Sequence, residues 1–323
     1  MRIIPISVPT PFYIGPVNVY LIAEEPVTLI DTGPKTREAV EALREGLRCA
    51  RFRVSDIRRI VLTHAHEDHC GLARTLRDEA KDAEVLVHGW ETGHRASRLE
   101  YADHRTLLER AGVPDEEIKG MRRMYDSMRA FADSLADNEH KELVDEAELE
   151  FATGSLRVVH TPGHTPGSCS FLREANRTII AGDCVLKRIT PNPILSPDPV
   201  DPSRRFPSLA EYMVSLARLR SFAPTLVHGG HGEPINDYEE LFQRYLRAIR
   251  ERQTEVIRLV PARGATAWDI ALELFPGSTG VHRFLAVSEA VAHLDLAQSE
   301  GKLAVELNGM REIYRNEGMR AEG

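Results

Sequence analysis

The chain has few cysteines, no excess of positive charge, no long apolar run, no internal repeat and no low-complexity segment. Its four cysteines, Cys49, Cys70, Cys169 and Cys184, show no CxxC pairing. Neither a disulfide framework nor a zinc ribbon is indicated. Lys and Arg number 41 against 49 Asp and Glu, for a formal net charge of −8. Such a surface has no general attraction for nucleic acid or an anionic membrane. No stretch approaches the roughly 20 apolar residues of a membrane span. The opening MRIIPISVPTPFYIGP, with its early prolines, does not read as a signal peptide. A reducing cytoplasm is the expected setting.

The 323 residues suit one large domain plus one small one. From Met1 to about Trp90, short β-rich runs alternate with helices. Val17–Ala23 and Val27–Asp31 read as adjacent strands. Thr36 caps a helix with Ala39, Val40, Leu43 and Leu47 on one face. Arg59–Leu62 and Glu84–His88 read as further strands. From about Glu91 to Leu143 the pattern is helical, and Met121, Tyr125, Met128, Ala132 and Leu135 share a face. That stripe either packs on the body, walls a substrate pocket as a lid, or forms a homodimer surface.

Strand texture returns near Leu149, with runs at Leu156–His160, Ser168–Leu172, Thr178–Ala181 and Thr225–His228, and a helix near Leu209–Ser221. A long helix starts near Asp237. Thr266 caps another with Trp268, Ala271, Leu272 and Phe275 in a stripe, and Phe284, Val287, Val291 and Leu294 mark a third. Leu303, Val305 and Leu307 then alternate into Asn308-Gly309, a type I′ hairpin signal, and a return strand near Tyr314. Helix, helix, hairpin is a winged-helix outline. The expected division is 1–248 for the main domain, with the helical insertion over about 91–143, and 249–323 for the small one.

The strongest chemical signal is Thr63-His64-Ala65-His66-Glu67-Asp68-His69. It follows an apolar strand and precedes Gly71 and a helix, so loop backbone can aim its side chains inward. Imidazole and carboxylate suit divalent ions. Strand alternation puts His64 and His66 on one side, able to share an ion, while Asp68 and His69 can reach a second. His164 lies between two Pro-Gly turns in His160–Ser168, Asp183 ends the strand TIIA, and His231 sits among Gly229, Gly230 and Gly232.

In combination these motifs resemble the metallo-β-lactamase superfamily: HxHxDH at His64–His69, HTPGHTPG at His160–Gly167, Gly182-Asp183 and Gly230-His231-Gly232, with Asp31-Thr32-Gly33 similar to its early D-T-G turn. The resemblance spans roughly Met1–Ile235. It implies an α+β fold, an αββα four-layer sandwich with metals at one edge. It assigns His64, His66 and His164 to a first metal, Asp68, His69 and His231 to a second, and Asp183 to a bridge between them. Zinc β-lactamases usually replace the last histidine of HxHxDH or the bridging aspartate; this chain keeps both, which tells against antibiotic hydrolysis. The full set is similar to glyoxalase II, lactonases, RNA-processing members and persulfide dioxygenases. The C-terminal outline resembles members carrying a β-lactamase-associated winged helix, including endoribonuclease-type proteins.

The implied mechanism is a hydroxide shared by two divalent ions, zinc foremost and iron or manganese acceptable, attacking a carbonyl or phosphoryl centre. Asp68 would orient the nucleophile and carry a proton to the leaving group. Lys187, Arg188 and Asn192 follow the bridging aspartate and are candidates to bind an anionic substrate group; a solvated surface role is equally open for the cations. Glu67 is a weak candidate to brace a ligand. His160 and His228 read as structural, and His88 as core rather than cleft. His94, His104, His140, His282 and His293 read as ordinary. Cys70 and Cys184 read as small buried thiols.

The favoured function is hydrolysis of a small thioester, ester or lactone. Single-strand RNA cleavage is the alternative, disfavoured because residues 250–323 hold nine Lys/Arg against eleven Asp/Glu. Iron-dependent persulfide oxidation and a metal-bearing module without turnover rank lower. The expected partner is a small-molecule substrate, with no membrane.

Overall fold

A computed structural model describes residues 1–91, 100–133 and 139–316. His94 and Leu135 therefore lie outside the described residues. Two sheets form the centre. The first runs β1 (Ile3–Val8), β2 (Val17–Ile22), β3 (Thr28–Ile30), β4 (Arg59–Val61), β5 (Glu84–His88) and β6 (Lys141–Leu143), in that order. Its first three strands are antiparallel and the rest parallel to β3. The second holds β7 (Glu148–Phe151), β8 (Gly154–His160), β9 (Cys169–Arg173), β10 (Thr178–Gly182) and β11 (Leu226–Gly229), with only β10 and β11 parallel.

Side-chain alternation assigns each strand face to its own core. In β2, Val17, Val19 and Leu21 join a cluster with Ala39, Leu43 and Leu47 of helix α1 (Arg37–Cys49) and Leu76 of α3 (Ala73–Glu79). Tyr20 and Ile22, one step over, join Leu156 and Val158 of β8, Phe171 of β9 and Ile180 of β10. Ile179 and Ala181 point the other way, onto Tyr212 and Leu216 of α6 (Ser208–Ser221) and Tyr245 and Ile249 of α7 (Tyr238–Leu259). The expected Thr36 cap is present, its hydroxyl accepting from Ala39 N at 3.1 Å.

Helices α4 (Glu100–Arg110) and α5 (Asp115–Met128) form the insertion, followed by α8 (Ala267–Leu274), α9 (Gly280–Ser299) and a hairpin of β12 (Ala304–Asn308) and β13 (Arg311–Arg315) at the C-terminal end. One core unites them: Leu107, Leu108, Ile118 and Met121 pack with Ala271, Val287, Val291 and Tyr314. Thr266 forms a capping box with Asp269. Arg205, largely buried, pairs with Asp295 at 2.6 Å and with Glu312, which also takes Arg110. Position 248, the expected boundary, falls inside α7.

Three local expectations are corrected. The sequence pattern singles out no strand at Ile3–Val8, where Pro5 interrupts; β1 lies at the sheet edge, where the missing donor of a proline is tolerated. The helical texture expected to about Leu143 ends instead in β6, which adds the opposite edge. In the C-terminal hairpin Asn308 pairs with Arg311, so Gly309-Met310 form the turn. Only Gly309 has positive φ, 63°, the II′ rather than the I′ pattern. Of the methionine stripe, Met121 is buried in the shared core, while Tyr125, Met128 and Ala132 are half-buried. Among the described residues no helix is long and apolar enough to cross a membrane.

Candidate metal centre

At one end of the two sheets, the segments leaving β3, β4, β8, β10 and β11 meet. Backbone bonds join the sheets there: Cys169 N donates to Thr63 O at 2.8 Å, and Asn18 N to Gly230 O at 2.7 Å. The Tyr20 hydroxyl donates to Gly229 O at 2.6 Å. The seven residues singled out as metal ligands lie together at this seam. Three overlapping groups have ligand atoms within 4.8 Å of one another: His64, His66 and His164; His64, His69 and Asp183; and Asp68, His69 and His231.

Four of the five imidazoles are turned by defined partners. His69 Nδ1 lies 2.8 Å from Asp31 Oδ2, His164 Nδ1 lies 3.0 Å from Asn192 O, and His231 Nδ1 lies 2.9 Å from Pro16 O. These acceptors call for Nδ1–H, which leaves Nε2 lone pairs facing the centre. His64 follows by a relay. The Thr63 hydroxyl donates to Asp31 Oδ2 at 2.9 Å, so its lone pair can accept from His64 Nδ1, 3.0 Å away. Asp31 thus orients an imidazole in all three groups. It sits at φ 61°, a left-handed conformation that Asp tolerates better than most residues, and its Oδ1 accepts from Thr63 N at 2.8 Å.

The donor set fits divalent cations. His66 Nδ1 stands 2.9 Å from His64 Nε2 and 3.1 Å from His164 Nε2. His69 Nε2, His231 Nε2 and Asp183 Oδ1 are buried without a well-aligned hydrogen bond among the described residues, and only loose ion-pair contacts reach them, His69 to Asp183 at 3.4 Å and His231 to Asp68 at 3.3 Å. Polar atoms withdrawn from water at such density call for a partner. Gly230 leaves the needed room: a Cβ there would collide with Asp183 Oδ1 and His69 Cε1.

The electrostatics agree. Burial, with the neighbouring imidazoles, holds His64 well below the usual histidine range and pushes His66 down to about 3. Both are neutral at pH 7, with lone pairs available. Burial alone would also depress His69, but the carboxylates of Asp183, Asp31 and Asp68 outweigh it and raise it well above its ordinary value. Burial opposes ionisation of Asp183, yet His69 and His231 hold it well below the carboxylate range. The region around Asp68 and Asp183 therefore favours added positive charge.

The other candidates divide. Lys187 and Arg188 both pair with exposed Glu233, at 2.9 and 2.7 Å. Asn192 contributes its carbonyl to His164, while its amide donates to Leu285 O and Glu289 Oε2 on α9. Glu67 is half-buried at the start of α2 (Glu67–Cys70). His160 donates to or accepts from no ligand group; its Nε2 lies 2.9 Å from Pro166 O and its ring stacks on His88 at 4.4 Å. His228 lies against Tyr20, centroids 5.2 Å apart, and His293 is buried with Nδ1 2.6 Å from Gln253 Oε1. Burial raises the Cys70 and Cys184 thiols, the latter to about 12, which leaves them poor nucleophiles.

Sequence reasoning missed the acceptors behind the ligands: Asp31 as a shared brace, the carbonyls of Pro16 and Asn192, and Glu91, which accepts from Ala65 N, Gly167 N and Thr165 Oγ1. The D-T-G turn marks Asp31 as notable. Nothing in spacing marks the others.

Comparison with known proteins gives one answer. The family model described as "Metallo-beta-lactamase superfamily" matches residues 13–231. "Probable metallo-hydrolase YqjP" of Bacillus subtilis is 33% identical over 303 residues, covering 92% of each chain. "Beta-lactamase-like protein 2 homolog" of Caenorhabditis elegans is 25% identical, covering 87% of this chain and 78% of that one. The solved metallo-β-lactamase family protein TTHA1429 of Thermus thermophilus superposes with a TM-score of 0.82 at 29% identity, covering 97% of this chain and 98% of its own. With its His and Asp clusters gathered where two sheets meet, the chain belongs to the metallo-β-lactamase superfamily and is a metal-dependent hydrolase.

Proposed function

We propose that the protein is a dinuclear hydrolase of small thioesters, esters or lactones. The observation that carries this reading is the set of buried atoms on His69, His231 and Asp183 that lack a well-aligned hydrogen bond, beside the His64, His66 and His164 triplet. His64, His66 and His164 would hold one ion, Asp68, His69 and His231 the other, and Asp183 both. Zinc suits this donor set, and iron or manganese would also be accepted. Such ions supply a water of lowered pKa and polarise a carbonyl oxygen.

The protein's own part is orientation and proton handling. Asp68 Oδ2 lies 3.3 Å from His231 Nε2. Burial opposes its ionisation, but His69 and His231 outweigh that, so Asp68 is a carboxylate at neutral pH. It can orient an attacking water and pass a proton to a leaving thiol or alcohol. A thioester reading gains support from the similarity to "Atrochrysone carboxyl ACP thioesterase nsrC", 25% identical over 76% of this chain and 58% of that one.

The same proposal takes the fold as an αββα sandwich over 1–248, since one core lies between the sheets and one under the helices of each outer side. It takes 249–323 as winged-helix-like, on the order α8, α9, hairpin. Four unpaired cysteines suit a reducing compartment.

Zinc-loaded protein is expected to cleave acylated glutathione, and His66→Ala to abolish cleavage. No turnover of any thioester, ester or lactone would overturn the reading. RNA cleavage lost in Asp68→Ala, with small esters untouched, would replace it.

A further inference from the structure

Glu91 lies just beyond β5 and takes no part in the chemistry above. It is 9% exposed. Its Oε2 accepts from Ala65 N at 2.9 Å, and its Oε1 accepts from Gly167 N and Thr165 Oγ1, both at 2.7 Å. These donors are neutral and come from two loops that leave different sheets. Ala65 stands between His64 and His66. Thr165 and Gly167 follow His164. One carboxylate therefore ties together the two chain segments that share the three-histidine group.

The surroundings are built for that tie. A Cβ on Gly167 would lie 2.6 Å from Glu91 Cγ and 3.0 Å from His88 Nδ1, so the turn must be glycine to admit the side chain. His160 holds the preceding carbonyl, Pro166 O, at 2.9 Å. We propose that Glu91 is a positioning residue that sets the spacing of His164 against His64 and His66, and so the affinity of that group for its ion. This rests on the dinuclear reading given above.

The chemistry demands a carboxylate. Both oxygens of Glu91 act as acceptors. In Glu91→Gln the amide nitrogen must face either Ala65 N–H or Gly167 N–H, so one loop is released with almost no change of volume.

The test is cobalt binding by the full-length chain, followed by chelator competition and visible absorption. Wild-type protein should take up two ions. Glu91→Gln should keep one at wild-type affinity and bind the other about tenfold or more weakly, with a changed absorption band for that ion alone. Two ions at unchanged affinity and spectrum would overturn the assignment, as would equal weakening of both. A wild-type protein that binds fewer than two overturns the dinuclear reading and this assignment with it. Should Glu91→Gln not fold, Thr165→Val removes one donor to the same oxygen. A selective, several-fold loss at one ion is expected of it, and an equal loss or none refutes the proposal.

Discussion

Replacing Asp31 by Asn tests the electrostatic logic of the centre most directly. The amide has the same shape, and Asn accepts the left-handed φ of 61° found there. What changes is the pattern of donors and acceptors. Asp31 receives Thr63 N, Thr63 Oγ1 and His69 Nδ1 on its two oxygens. If the amide oxygen stays with Thr63 N, the new NH2 faces His69 Nδ1 and turns it into an acceptor. The ring proton then moves to Nε2, the atom that should face the ion. A charge-assisted bond is worth about 1.5–3 kcal/mol, and about 1.4 kcal/mol corresponds to tenfold in affinity. Metal affinity should fall roughly ten- to hundredfold, in line with losses on removing such braces. Since Thr63 passes the same carboxylate's influence to His64, the loss should reach both ions. Chelator competition measures the affinities, and nitrogen-15 spectra of the imidazoles report the tautomer. Unchanged affinity with His69 still protonated at Nδ1 would refute the reasoning.

Other consequences are equally open to measurement. Gly230→Ala should abolish metal uptake while leaving a folded chain, because its Cβ would occupy the space beside Asp183 and His69; metal analysis and circular dichroism decide it. Metal-free protein should be most stable near pH 6.5. Below that the unfolded chain binds protons that buried His66, held down to about 3, refuses, so stability falls with acidification. Above it, stability conferred by the raised His69 is lost as pH climbs toward its folded value. Melting across pH 4–9 checks both limbs, and a monotonic profile would contradict them. Glu312→Ala removes one of the two carboxylates that hold the largely buried Arg205, leaving Asp295 and the Tyr314 hydroxyl, and should cost about 1.5–3 kcal/mol in urea unfolding.

Much of the centre is legible in sequence because its ligands are chemically unusual residues at short, regular spacing. His64 and His66 lie in the turn after β4 and Asp68 and His69 in α2 directly behind it, while His164, Asp183 and His231 follow a strand or sit beside glycines. The braces are not legible. Two of them are peptide carbonyls, at Pro16 and Asn192, which any residue could supply. Glu91 is one acid among 49 acidic residues, and its role exists only because two remote loops fold against it. Similar limits apply to the fold. Strands β2 and β10 read clearly as apolar runs because each serves two cores and is buried on both faces. Edge strands β1 and β6 bury fewer residues and carry Pro5 or charges, so their pattern is weak.

The merged core of Leu107, Ile118, Val287 and Tyr314 has a practical meaning for anyone who trims or grafts this protein. The last seventy or so residues are not a detachable accessory. Cutting them away would strip α4 and α5 of their cover and present an oily face to solvent, inviting clumping. Variation that reshapes one partner must be answered in the other, so insertion and tail are bound to diverge as a pair.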